Sequence, residues 1–468
     1  MQRPQKTSVK EDSSGEQKKM ESGDNRKVRS IASVRDDKLM SEQSNNTLFN
    51  QVLTRENLNI ALKRVMANNG APGIDNVTCR EFREHLIANW QEIKQRLLCG
   101  TYQPQPVKRV EIPKPDGGTR SLGIPILVDR LIQQAIAQIL TPIYEKKFSD
   151  SSYGFRPGRN AHQAVRRARE YIEAGYKWVV DIDLEKFFDR VNHDVLMSLL
   201  SKEINDQALL RLIRKFLESG VMINGVVTAT EVGTPQGGPL SPLLSNIMLD
   251  VLDNELEKRG HKFCRYADDC NIYVRSERAG KRVIKSVRKF IENRLRLRIN
   301  HEKSAVANPA DRKFLGFTSY TKTDGTIGIK LSVKSRMRLK TKLKEMTARS
   351  NGDSITERIK RLNRYLMGWL NYYMPADIKT MLNDTLKWLR RRIRMCLWKS
   401  WKNIKCRYDN LRKLGLNDDY ARKFANSRKG YWRIAGSHIL SRTVTNRYIT
   451  NDLGLIDIVG YYLKLRNA

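Results

Sequence analysis

The chain has 468 residues, with 87 Lys and Arg against 50 Asp and Glu, a formal net charge of +37 and 40% hydrophobic residues. That length supports roughly two to four domains, the apolar fraction is enough for folded cores, and the excess of cations points to a polyanionic partner, nucleic acid before anionic membrane. No run of about 18 uncharged apolar residues exists, which excludes a membrane-spanning helix; the six cysteines hold no C-x-x-C pair, which argues against a zinc ribbon and a disulfide framework.

Residues 1–46 are polar, carry no apolar leader and read as a disordered tail. With no targeting signal the expected setting is a reducing, bacterial-type cytoplasm, at the nucleoid when bound to DNA. From Thr47 to Met66 apolar residues predict helices, broken by Asn69-Gly70-Ala71-Pro72-Gly73. Residues 79–98 space Phe82, Leu86, Trp90, Ile93 and Leu97 as a helix does. Two strand-like runs around Asp116-Gly117-Gly118 predict a β-hairpin over 110–122, followed by helices to Phe148. Tyr176–Ile182 reads as a buried strand turning into a helix over 183–192. A hairpin is expected at 221–232 around Asn224-Gly225, then a helix from Ser241 to Arg259. Phe263–Val274 is a second apolar hairpin, interrupted by Ala267-Asp268-Asp269. After Leu331 the character changes: residues 331–410 hold 21 Lys or Arg against 6 Asp or Glu, and apolar residues recur at helical spacing. Residues 411–468 are mixed.

The strongest chemical signal is Tyr266-Ala267-Asp268-Asp269. Two adjacent carboxylates at the tip of an apolar hairpin are costly unless a cation neutralises them. Neighbouring strand residues point to opposite faces, so a turn is needed to bring both together. Asp183 ends another apolar strand. Asp183 and Asp268 could converge on hard divalent cations, and two such ions about 3.5–4 Å apart form the clamp for in-line phosphoryl transfer. Asp181, Asp189 and Asp194 read as an edge-facing, a surface and a helix-capping residue. Lys114 and Arg120 flank a turn that could close over a triphosphate, Lys as a point charge and Arg as a fork. Pro235-Gln236-Gly237-Gly238 places glycines where backbone can approach a ligand. The aromatics between Trp369 and Trp401 read as core at helical spacing more readily than as base-stacking platforms.

Tyr-Ala-Asp-Asp on a hairpin resembles the signature of reverse transcriptases, and the surrounding blocks are similar to the group II intron-encoded reverse transcriptases, or maturases. The matching segments are Gly70-Ala71-Pro72-Gly73-Ile74-Asp75, Ile112-Pro113-Lys114-Pro115-Asp116-Gly117, Tyr153-Gly154-Phe155-Arg156-Pro157-Gly158-Arg159, Phe187-Phe188-Asp189, the Gly233–Pro242 segment and Phe314-Leu315-Gly316-Phe317, in the family's order.

The resemblance implies an α+β right-hand polymerase, with fingers and palm over 47–330. A basic α-helical thumb and maturase domain follows over 331–410, then a C-terminal nucleic-acid-binding segment over 411–468. It implies that Asp183, Asp268 and Asp269 bind two Mg²⁺ and are catalytic. Lys114, Arg120, Phe188, Gln236 and Lys303 then serve the dNTP, Phe188 as a steric gate against a 2′-hydroxyl and Lys303 beside the leaving pyrophosphate. Arg156, Arg159, Arg390, Arg391, Arg392 and Arg394 are expected to contact nucleic acid. The partners implied are intron RNA, a template RNA and a DNA primer or target. Many relatives end in an H-N-H endonuclease with cysteine pairs; this sequence shows no such spacing, so an endonuclease-lacking type is expected. Competing readings are a reverse transcriptase of another lineage and a splicing cofactor with a vestigial polymerase.

Overall fold

The structure is a computed structural model that describes residues 47–113, 117–223, 226–228, 233 and 237–467. The expected tail over 1–46, Lys114, the Asn224-Gly225 turn and Gln236 all lie outside the described residues.

The first unit is built on the helix Leu127–Glu145, with helices Leu48–Val52 and Arg55–Ala67 packed against it. Twelve of the long helix's residues are buried, including Leu127, Leu131, Ile132, Ile136 and Leu140, the repeat that places one face in a core. Beside it stands a sheet in the order β2-β1-β4-β5, with β1 Val107–Pro113, β2 Thr119–Ile124, β4 Val221–Ile223 and β5 Val226–Thr228. β1 and β2 are the expected antiparallel hairpin, with Ile112 opposite Arg120.

The second sheet has the order β6-β7-β3-β8, from β3 Trp178–Asp183, β6 Lys262–Tyr266, β7 Asp269–Val274 and β8 Ala305–Ala307. β7 pairs antiparallel with both β6 and β3. The period of two divides β3 cleanly. Val180 and Ile182 join the core under helix Ser241–Lys258, while Val179 joins a second core with Cys264 and Tyr273. Asp181 and Asp183 share the Val179 face, further along the strand. Asp183 is not followed by the expected helix over 183–192. The chain turns through Lys186, at φ +47°, and makes only the short helix Phe187–Arg190.

A hairpin of β9 Phe317–Thr321 and β10 Ile327–Leu331 leads to helices Val333–Met346, Ile355–Tyr373 and Lys379–Ser400. Ser332 and Ser354 cap the first two, each side chain accepting an N–H from the first turn. Leu339, Leu362, Leu366, Leu389, Trp398 and Trp401 are buried in the second core, as are Leu411, Ile449 and Tyr462. Packing therefore runs without a break across residue 410.

Candidate active site

Asp183 and Asp269 stand directly opposite each other across the β3–β7 ladder. Opposed residues of a pair project to one face, so both carboxylates and Asp181 leave the same side of the sheet. Asp268 belongs to the two-residue turn between β6 and β7, where Tyr266 pairs with Asp269 and Ala267 takes φ +57°. The turn thus frees Asp268 from strand alternation.

Three anchors hold this tip. Arg265 is fully buried and donates to both Asp253 carboxylate oxygens, at 2.7 and 2.9 Å from Nε. Its Nη1 donates to the Ala267 carbonyl at 3.0 Å and to Asn246 Oδ1 at 3.0 Å. Asn246 Nδ2 in turn donates to the Gly154 carbonyl at 2.9 Å. Gly154 lies so close to the turn that a Cβ there would overlap the Ala267 amide and sit 2.9 Å from the Tyr266 carbonyl carbon. The segment before it is hydrogen-bonded along β6, through Arg265 N–H to Ser151 O at 2.9 Å and Tyr153 N–H to Arg265 O at 2.8 Å.

The Asp183 backbone is pinned from the other side. Its N–H donates to Ser304 Oγ at 2.9 Å and its carbonyl accepts the Asn300 N–H at 2.8 Å. The Asn300–Ser304 turn so fixed brings Lys303 Nζ to 3.7 Å from Asp183 Oδ1. Arg312 pairs with Asp181 at 2.6 Å and also donates to the Lys303 carbonyl.

Burial, then the charges of Asp181, Asp268 and Asp183, push the Asp269 carboxyl up to about 8. Asp268 is raised by burial and by Asp183, against the Arg120 charge that favours its ionised form. Such groups are hard oxygen donors crowded in excess of their cations. That chemistry fits a divalent ion, which takes few protein carboxylates and completes its shell with water and phosphate. Among the described residues no group of three His, Cys, Asp or Glu side chains is placed to hold a metal ion by itself, so the carboxylates form an open cluster.

Arg120 is exposed on β2, and its charge reaches Asp268. Phe188 is half-buried, edge-on to Phe187 at 5.1 Å. Gly233, at φ +103°, presses on the Phe188 carbonyl; a Cβ there would lie 3.1 Å away. The glycines at 237 and 238 have a closer reason than a ligand. A Cβ on Gly237 would lie 2.5 Å from the Gly123 carbonyl, and one on Gly238 would meet the Gln133 side chain.

Several expectations need correction. Asp181 is not at an edge, because β3 is flanked by β7 and β8. Asp194 is not the cap of its helix; Asn192 is, and Asp194 pairs with Arg214 at 2.7 Å. Arg156 does not face solvent. It is buried and donates to Glu145 at 2.7 Å, Ser149 O at 2.5 Å and Ser152 O at 2.8 Å. Arg394 is buried against Val444 O at 2.8 Å and Asn446 at 2.9 Å. Arg392 donates to Thr347 O at 2.9 Å, and Arg391 to Trp432 O at 2.9 Å while lying 4.1 Å over the Trp432 ring. Arg390 is half-buried. Arg391, Arg392 and Arg394 thus tie the helix Lys379–Ser400 to neighbouring segments. Arg159, partly exposed, pairs with Asp150 at 2.5 Å. Arg265, Asp253, Asn246 and Arg312 were not foreseen; only Gly154, inside the Tyr-Gly-Phe-Arg segment, carried a sequence signal.

Residues 112–319 match the family described as reverse transcriptase (RNA-dependent DNA polymerase), and residues 336–415 match the group II intron, maturase-specific domain. Protein YkfC of Escherichia coli is 34% identical over 291 residues, covering 54% of this chain and 76% of YkfC. The group II intron-encoded protein LtrA of Lactococcus lactis is 32% identical over 357 residues, covering 62% of this chain and 59% of LtrA. Among solved structures, a chain of a partial Cas6-RT-Cas1–Cas2 complex is 27% identical, covers 53% of this chain and 43% of its own, and superposes with a TM-score of 0.36, too low to bear on the fold.

Proposed function

We propose, for a chain that belongs to the group II intron-encoded reverse transcriptases and maturases, and so to the RNA-directed DNA polymerases, that the open carboxylate cluster of Asp183, Asp268 and Asp269 extends a DNA primer on an RNA template with Mg²⁺ and dNTPs. The observation that carries this reading is the register of Asp183 opposite Asp269 with Asp268 freed in the adjoining turn. When bound, two Mg²⁺ lower the barrier to attack of the primer 3′-hydroxyl on the α-phosphorus and neutralise the departing pyrophosphate. Asp183 and Asp269 would hold the ions from the strands, and Asp268 from the turn. The Arg265–Asp253 pair fixes the turn, so its carboxylate needs no reorganisation during the reaction. Lys303 stands beside Asp183, where its ammonium can stabilise negative charge. Phe188 offers a ring edge against the sugar, and Arg120 a fork for the triphosphate.

The same chain is proposed to hold its intron RNA, to assist its splicing, and to copy it into DNA at a target site. The maturase-specific match and the basic helices over 331–410 support that part. In the test, wild type and Asp183→Asn are compared in single-nucleotide incorporation on an RNA template, with Mg²⁺ titrated. Incorporation by the wild type alone, saturating in Mg²⁺, is expected. Equal incorporation by both proteins contradicts the assignment. No incorporation by either, with RNA binding intact, favours the splicing-cofactor reading.

A further inference from the structure

We propose that a basic concavity at the end of the palm sheet remote from the carboxylates is a phosphate-binding foothold for structured RNA held outside the template–primer path. β7 begins at Asp269 and ends at Val274, so residues past Val274 lie at the opposite end of the strand from the cluster. There the surface sinks into a concavity of about 540 Å³, with Tyr176, Tyr273 and Val274 on its walls. Lys262 enters it from the start of β6, Arg275 from the residue after β7, and Arg282 from the helix Glu277–Phe290.

All three cations are exposed, and the lining contains no Asp or Glu. Among the described residues none of the three has an ion-pair partner, whereas Lys281 on the same helix pairs with Glu277 at 2.6 Å and nearby Arg259 with Glu255 at 2.6 Å. Solvated surface cations are common, and a Lys at the start of an edge strand by itself guards against stray pairing. The edge-strand explanation suits Lys262 alone, and solvation by itself says nothing of where the cations stand. Neither accounts for three unpaired cations brought from three elements to one hollow. Arg275 is also steadied, its guanidinium lying 5.3 Å from the Tyr176 ring centroid. A held guanidinium fork with two point or forked cations around it matches phosphodiester oxygens.

The assignment to RNA rests on the reading that the chain holds a structured RNA, whose helices are gripped through phosphates and shape rather than base edges. No residue of the concavity belongs to the carboxylate cluster or to its anchors, so loss of RNA binding here need not touch polymerisation.

The test uses the full chain carrying Lys262→Gln, Arg275→Gln and Arg282→Gln together. It is probed with a folded group II intron transcript, a short DNA-primed RNA template and duplex DNA. The expected result is a loss of intron-RNA affinity of about 10-fold or more. Its salt slope should also become shallower by two to three phosphate contacts, each worth roughly 0.7–0.9 in log–log slope. Primer extension on the short template should stay at the wild-type rate, which also reports that the variant folds. Unchanged RNA affinity and slope would overturn the proposal. A parallel fall in primer extension would place the hollow on the template–primer path and overturn it as stated. Weakened duplex-DNA binding with intact RNA binding would assign it to DNA instead. Should the wild type itself fail to bind the intron transcript while still extending primers, the RNA-holding reading and this inference fall together, with the polymerase left standing.

Discussion

Asp269 bears the heaviest electrostatic load of the cluster, because burial and three neighbouring carboxylates all disfavour its charge. Its folded value of about 8 stands above the roughly 3.9 of an exposed Asp. The native state therefore binds a proton that the unfolded chain has released. Stability of the metal-free protein should fall as pH rises from about 4 towards 8. A proton also competes with a cation for the same oxygens, so Mn²⁺ affinity measured by electron paramagnetic resonance should rise from pH 6 to 8 and level off above. A flat profile would mean that Asp269 is no ligand. Gly154 gives a steric counterpart. Gly154→Ala must displace the Ala267-Asp268 turn, and should lower the incorporation rate by at least about 10²-fold, within the range for removing one transition-state contact, while RNA affinity stays. The aspartates were legible in the sequence because two carboxylates on an apolar hairpin demand an explanation. Arg312 and Asp253 were not, since their meaning lies in partners over a hundred residues away, or on another element.

At the level of elements, the hairpin tip is rigid because a buried ion pair braces it. Asp253 and Arg265 are both inaccessible to solvent. Asp253→Ala strands a buried guanidinium and should cost about 3–5 kcal/mol in denaturant unfolding. Glu92→Ala, which breaks the exposed Arg96–Glu92 pair, should change stability by less than about 1 kcal/mol. Similar costs for the two would contradict the role given to Arg265. The β1–β2 and β6–β7 hairpins and the helix Ser241–Lys258 could be read from turn residues, apolar runs and helical spacing. The turn that replaces the expected helix after Asp183 could not, because Leu184 to Lys186 depends on tertiary bonds such as Glu185 N–H to Arg298 O at 2.8 Å. β8 is only three residues long and joins β3 through pairing that no local pattern announces.

For the whole molecule, the second core ties the palm to the helices that follow. Val179 and Tyr273 share it with residues as distant as Tyr462. The net charge of +37 suggests a polyanion partner, but charge density along the sequence does not say which cations stay on the surface to meet it. The Arg390–Arg394 run is largely consumed in joining helices, so mutating Arg394 should destabilise the fold before it weakens RNA binding. Composition reports how many cations a chain has, and only packing reports which remain free. Intron-RNA affinity should still fall steeply with ionic strength, as expected for binding through many phosphates. The central claim is a division of labour between a carboxylate cluster that polymerises and basic surfaces that hold RNA. It is tested most directly by Asp268→Ala, assayed side by side for primer extension on an RNA template and for intron-RNA binding. Extension abolished with RNA affinity within about twofold of wild type, a difference of roughly 0.4 kcal/mol, is the result predicted. Extension that survives the substitution, or RNA binding lost along with it, would contradict the account.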